Sequence, residues 1–107
     1  MLNQIVLVGR LIDTPKIEKN EEGISKCIIT LAVTRCYKNV DGIYETDFIP
    51  CILWNGIANN VTDYCKKGDL VGIKGRLQTR QEEDKNIIEI IAEKVTFLSS
   101  KKENEED

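Results

Sequence analysis

The chain contains no histidine. That absence removes the commonest general base and with it any Ser-His or Cys-His nucleophile, so no catalytic residue is assigned and the chain does not read as an enzyme. Cysteine is present at Cys27, Cys36, Cys51 and Cys65, but the intervals of 9, 15 and 14 positions hold no C-x-x-C pair. Without histidine they complete no zinc site, so neither metal nor cofactor is expected and the thiols read as small apolar side chains. No apolar run nears the roughly 20 residues needed to span a bilayer. The opening MLNQIVLVGR also lacks the basic region, long apolar segment and cleavage site of a secretory signal. A cytoplasmic protein with no membrane partner is the expectation. Surplus positive charge is missing too: the net charge is −3, and the terminal KKENEED, with two positive and four negative charges, leaves about −1 over residues 1–100. A locally basic groove is permitted and not required.

What is present is a single small domain. At 107 residues, 41% hydrophobic and 31% charged with two prolines, the chain supports one core and not two. The domain is expected over residues 1–100, with 101–107 as a disordered acidic tail. The apolar segment QIVLVGRLI at 4–12 reads as a strand, with Gly9 where a bend would curl it and Pro15 ending it. Two short edge segments follow around a turn at Glu22 and Gly23, and the β-branched run 27–35 is the second long strand. Asp41-Gly42 signals a hairpin turn with positive φ at both positions. It leads to a third strand, ETDFIPCILW at 45–54, interrupted by Pro50 as an edge or bulge.

Ile57, Val61, Tyr64 and Cys65 then form a helical stripe, with Asn55 as N-cap, Lys66 and Lys67 in the last turn and Gly68 at C′. Strands at 69–80 and 86–98, joined by the charged turn QEEDK, complete the chain. Three strands, one helix and two strands is the layout of an all-β OB-fold, a five-stranded Greek-key barrel with one short helix between strands 3 and 4. Gly9, Gly72 and Gly75 would let its strands coil to closure. Within the third strand Phe48 and Trp54 are six apart and share a face. That face is either core or an exposed platform.

The strings MLNQIVLVGRL at 1–11, TLAVTR at 30–35, TDFIPCILW at 46–54, YCKKGDLVGIKGRLQTR at 64–80 and EIIAEKVTFL at 89–98 closely resemble the bacterial single-stranded DNA-binding protein family. The resemblance implies an OB-fold that assembles as a homotetramer in the cytoplasm, at the nucleoid, and binds single-stranded DNA without sequence preference during replication, recombination or repair. It also implies stacking positions at Tyr37, Phe48 and Trp54, and stacking on an aromatic tolerates any base. Phosphates need cations along the strand's path. The candidates are Arg35 beside Tyr37, Lys67 after the helix, Lys74, Arg76 and Arg80 alternating on the fourth strand, and, more weakly, Arg10 and Lys38.

The chain also departs from the family pattern. QEED stands where relatives often carry an aromatic and a longer hairpin, and Gly56 where they often carry lysine. KKENEED is acidic but lacks the hydrophobic anchor of the usual C-terminal tail, which puts recruitment of replication or repair proteins through that tail in doubt. This chain resembles the short paralogues without it. A different class of function consistent with the near-neutral domain is an OB-fold assembly or protein-interaction subunit with weak or no nucleic-acid binding. Single-stranded RNA is the alternative ligand, since a stacking surface does not read the 2′-OH.

Overall fold

The computed structural model describes residues 1–101. The expected acidic tail, beyond Lys101, lies outside the described residues. The elements are β1 (Ile5–Leu11), β2 (Glu18–Lys19), β3 (Ser25–Lys38), β4 (Tyr44–Trp54), α1 (Asn55–Tyr64), β5 (Leu70–Glu82) and β6 (Lys85–Ser99). The strand order β1-β5-β6-β4-β3-β2 closes on itself through a second pairing of β1 with β3. Five long strands therefore form the expected OB-fold barrel, with the two-residue β2 pinned to β3 as a lip. The helix lies between the third and fourth long strands.

Closure rests on two short seams. Arg10 and Leu11 pair with Ala32 and Leu31 between β1 and β3, and Ile52 pairs with Ile91 in the parallel contact of β4 with β6. At the first seam, and again where β5 pairs with β6, a glycine admits a backbone approach that a side chain would block. A Cβ on Gly9 would stand 2.7 Å from the Ala32 carbonyl oxygen, and one on Gly75 would collide with that of Ile91. Gly75 lies at the register shift where β6 carries an extra residue, which bends the sheet. Gly72 needs no such freedom, because its Cβ would meet only ordinary contacts from 3.7 Å.

Inward side chains of every long strand meet in one core, with Leu31, Leu53, Val71 and Ile73 fully buried and Cys27 and Cys51 packed among them. The helix plugs one end through Ala58, Val61 and Cys65 with Ile57 beside them. Tyr64, expected on that stripe, is exposed instead. Its cap also differs from the expectation. Trp54 holds the N-cap position with no side-chain bond, Asn55 takes φ 53 as the first helical residue, and the last turn contains no base, Lys66 and Lys67 lying beyond it. Gly68 follows at φ 92, and the Asp69 carboxylate accepts the Lys66 N–H to hold this turn.

The turns correct a second expectation. Asp41-Gly42 is not a two-residue turn, since only Gly42 has positive φ. The loop runs from Asn39, whose Oδ1 accepts the N–H groups of Asp41 and Ile43, while the Asn39 carbonyl accepts the Gly42 N–H. The same arrangement recurs in the loop before β3, where Asn20 Oδ1 accepts from Glu22 and Ile24 and its carbonyl from Gly23. Each is an asparagine-anchored turn closed by a left-handed glycine. The two-residue turn with both central residues at positive φ occurs between β5 and β6, where Glu83 and Asp84 take φ 49 and 65. Pro50 does not interrupt β4, which continues through it paired to β3 and meets β6 only at Ile52.

Candidate nucleic-acid interface

The register of β3 with β4 decides what Phe48 and Trp54 face. Inward positions 27, 29 and 31 pair with 53, 51 and 49, so the alternate residues point out of the barrel. Phe48 stands opposite Ala32 and Trp54 opposite Lys26. Opposite this small neighbour Phe48 is 63% exposed, while Trp54 keeps 38% of its surface open. Both aromatics lie outside the core, on one outward face.

That face extends across strands. Arg10 on β1 pairs with Ala32, so Arg10, Ala32 and Phe48 make one row, and Glu18, Lys26 and Trp54 make another. A third row runs through Arg76, Ile91, Ile52 and Ile28, of which the two central isoleucines, Ile91 and Ile52, are buried. Tyr37 is exposed where β3 slips its register between Thr34 and Lys38.

The candidate cations divide into committed and uncommitted groups. Arg35 is committed: its Nε and Nη2 donate to Asp47 at 3.0 and 2.9 Å, and Nη1 donates to Glu45 at 2.9 Å. Both carboxylates alternate away from Phe48, so this cluster sits on the opposite side of the β3–β4 ribbon. Hydrogen bonds from the Arg35 guanidinium hold the Asp47 carboxyl below its usual range, and the same bonds push Arg35 further up. Arg80 is clamped between Glu82 and Glu89, and its bond lowers the Glu89 carboxyl. Arg76 reaches Glu93 at 3.6 Å and donates to Gln78. Arg10 donates to the Gly68 carbonyl.

Lys67 and Lys74 make no ion pair among the described residues. Lys74 keeps the expected alternation with Arg76 and Arg80 and stands between Val6 of β1 and Lys94 of β6. Lys67 lines a cleft with Lys16, Thr14 and Ile28. The Lys38 ammonium lies 5.7 Å from the centre of the Tyr44 ring.

Two residues of this surface escaped the sequence reading. Tyr44, half exposed, has the same parity on β4 as Phe48 and Trp54, so alternation alone could have found it. Lys26 holds its ammonium 5.3 Å from the centre of the Trp54 ring, and no local signal could find it because the pairing depends on the irregular register near the turn. Among the described residues no group of metal-ligating side chains comes together, and no helix is long and apolar enough to cross a membrane.

Residues 2–98 match the model of the single-strand binding protein family. The chain is 44% identical over 106 residues to single-stranded DNA-binding protein 3 of Listeria innocua, covering 94% of this chain and 66% of that protein. It is 41% identical to single-stranded DNA-binding protein B of Bacillus subtilis over 94% of both chains. It is 44% identical to single-stranded DNA-binding protein 1 of Clostridium acetobutylicum over 95% of this chain and 98% of that one. Its fold superposes on the wild-type single-stranded DNA binding protein from Thermus aquaticus with a TM-score of 0.78 at 26% identity, covering 92% of this chain and half of the Thermus chain. The chain thus spans about two thirds of the Listeria relative and nearly all of the Bacillus and Clostridium ones.

Proposed function

The chain belongs to the single-strand binding protein family, and from that membership we propose that it binds single-stranded DNA without sequence preference and protects it during replication, recombination or repair. The observation that carries this reading is the pair of exposed aromatics, Phe48 and Trp54, on one outward face of a closed barrel. Stranded bases lose stacking partners, and a ring held out of the core restores one to any base. Tyr37 is proposed as the third stacking residue and Tyr44 as its neighbour. Phosphate contacts are assigned first to the uncommitted Lys67, Lys74 and Lys38 and to Arg10. Arg76 and Arg80 take part by exchanging their carboxylates for phosphate, and Arg35 serves mainly to hold the ribbon.

Binding requires no bond making, so the protein acts as a non-catalytic module built from residues 1–100, with 101–107 as its acidic tail. It works as a homotetramer in the cytoplasm at the nucleoid. Anisotropy of a labelled oligo(dT) tests the reading. The native chain should bind tightly at low salt and lose affinity as salt rises, since released counterions drive phosphate contacts. A chain that binds no oligo(dT) at low salt is an assembly subunit instead, and tighter binding to oligo(U) would make RNA the ligand.

A further inference from the structure

Beside Trp54 lies a small cleft of about 250 Å³, lined by Glu18, Lys19, Asn20, Ile24, Lys26 and Trp54. It is smaller than the roughly 300–1,000 Å³ pockets that enclose whole small molecules, a size suited to one flat ring. Resting on the single-stranded DNA reading above, we propose that this cleft is a single-nucleotide subsite in which the base lies on Trp54 and its phosphate is held by Lys26 and the Asn20 amide.

Three features point to that occupant. Trp54 and Ile24 supply an apolar surface, and Lys26 sits directly across the strand pair from Trp54. The Lys26 ammonium rests against the indole at 5.3 Å with no carboxylate at ion-pairing distance among the described residues. On its flexible four-carbon stem it can swing from ring to phosphate as a base arrives. The Asn20 side chain is already oriented, because its Oδ1 accepts two backbone N–H groups at 2.9 Å. Its Nδ2 is left as a fixed donor with no hydrogen-bond partner among the described residues. Glu18, across from Lys26 on β2, is the one carboxylate of the cleft, and it opposes an incoming phosphate.

The test is a set of full-length variants titrated against labelled oligo(dT) at low salt. Lys26→Ala should weaken binding about tenfold, the size of one lost charge-assisted contact. Asn20→Asp keeps both turn bonds and replaces the donor with a charge, so it should weaken binding without lowering the melting temperature. Glu18→Gln should tighten binding, a gain that no misfolded variant would show. Lys26→Ala combined with Trp54→Ala should bind within about twofold of Trp54→Ala alone, because residues of one subsite are not additive. Unchanged binding by Lys26→Ala, or losses that multiply in the double variant, overturns the subsite. If Trp54→Ala and Phe48→Ala weaken binding while Lys26→Ala does not, the subsite alone fails. If the native chain binds no oligo(dT), the functional reading fails with it.

Discussion

Arg35 faces Asp47 across the β3–β4 ribbon, with Nε and Nη2 each donating to a separate carboxylate oxygen. This forked pair spends the donors that a phosphate would use. Arg35→Ala should therefore leave the salt slope of oligo(dT) binding unchanged to within the 0.7 or so expected for one single-strand phosphate contact. A drop of that size would return Arg35 to the DNA path.

The same pair sets a pH dependence. Because Asp47 is depressed by Arg35, its stabilising contribution is present above the ordinary carboxylate range near 4 and is lost as pH falls through the lower folded value. Both side chains are about four-tenths exposed, so solvent keeps the contribution small. In urea titrations the native chain should exceed Asp47→Asn in stability at neutral pH, and the gap should close below about pH 4. A gap that does not narrow as pH falls below the ordinary carboxylate range would mean that another contact is responsible.

Gly56 has nothing within 4 Å of the position a Cβ would take, and it lies in the first turn of α1 beside Trp54. Gly56→Lys should be tolerated by the fold. It should tighten oligo(dT) binding and steepen the salt slope by about 0.7, as one added phosphate contact would. An unchanged slope would place the DNA path away from this end of the helix.

Much of this architecture was legible because it depends on local pattern: β-branched alternation marked the long strands, and the apolar stripe marked the helix. Register was not. A two-residue turn at Asp41-Gly42 would set Ile29 opposite Trp54, whereas the asparagine-anchored loop and the slip between Thr34 and Lys38 bring Lys26 there. The loop geometry is set by a few hydrogen bonds accepted by Asn39 Oδ1, and a propensity argument does not count them. Parity on one strand put Phe48 and Trp54 on a common face, but it took the family resemblance to read that face as a platform instead of core. The pairing of Arg35, Arg76 and Arg80 with carboxylates was not legible, because each partner except Glu82 comes from a neighbouring strand.

Glu83 and Asp84 occupy a turn whose geometry favours Asn-Gly. A left-handed conformation is costly for residues with a Cβ. The double substitution Glu83→Asn, Asp84→Gly should raise stability by about 1 kcal/mol, read as a higher urea midpoint at unchanged slope. A lower midpoint would show that the acidic side chains hold the hairpin in some other way.

The cysteines should separate by burial. Cys36 is exposed, whereas Cys27, Cys51 and Cys65 are buried, and burial pushes the Cys51 thiol up to about 11. Buried thiols stay protonated and inert. A thiol reagent at neutral pH should modify Cys36 rapidly and the others only after denaturation. Fast modification of a second cysteine in the native chain would place an opening in the barrel wall.

The most direct test of the central claim uses the single tryptophan as reporter. Trp54 fluorescence, titrated with a long oligo(dT) at low and moderate salt, is compared between the native chain and Phe48→Ala. A stacking platform predicts strong quenching that weakens with salt, and a loss of about 1–3 kcal/mol in affinity for Phe48→Ala. No quenching at either salt, with equal behaviour of the variant, would contradict the platform and leave the two aromatics without a nucleic-acid role.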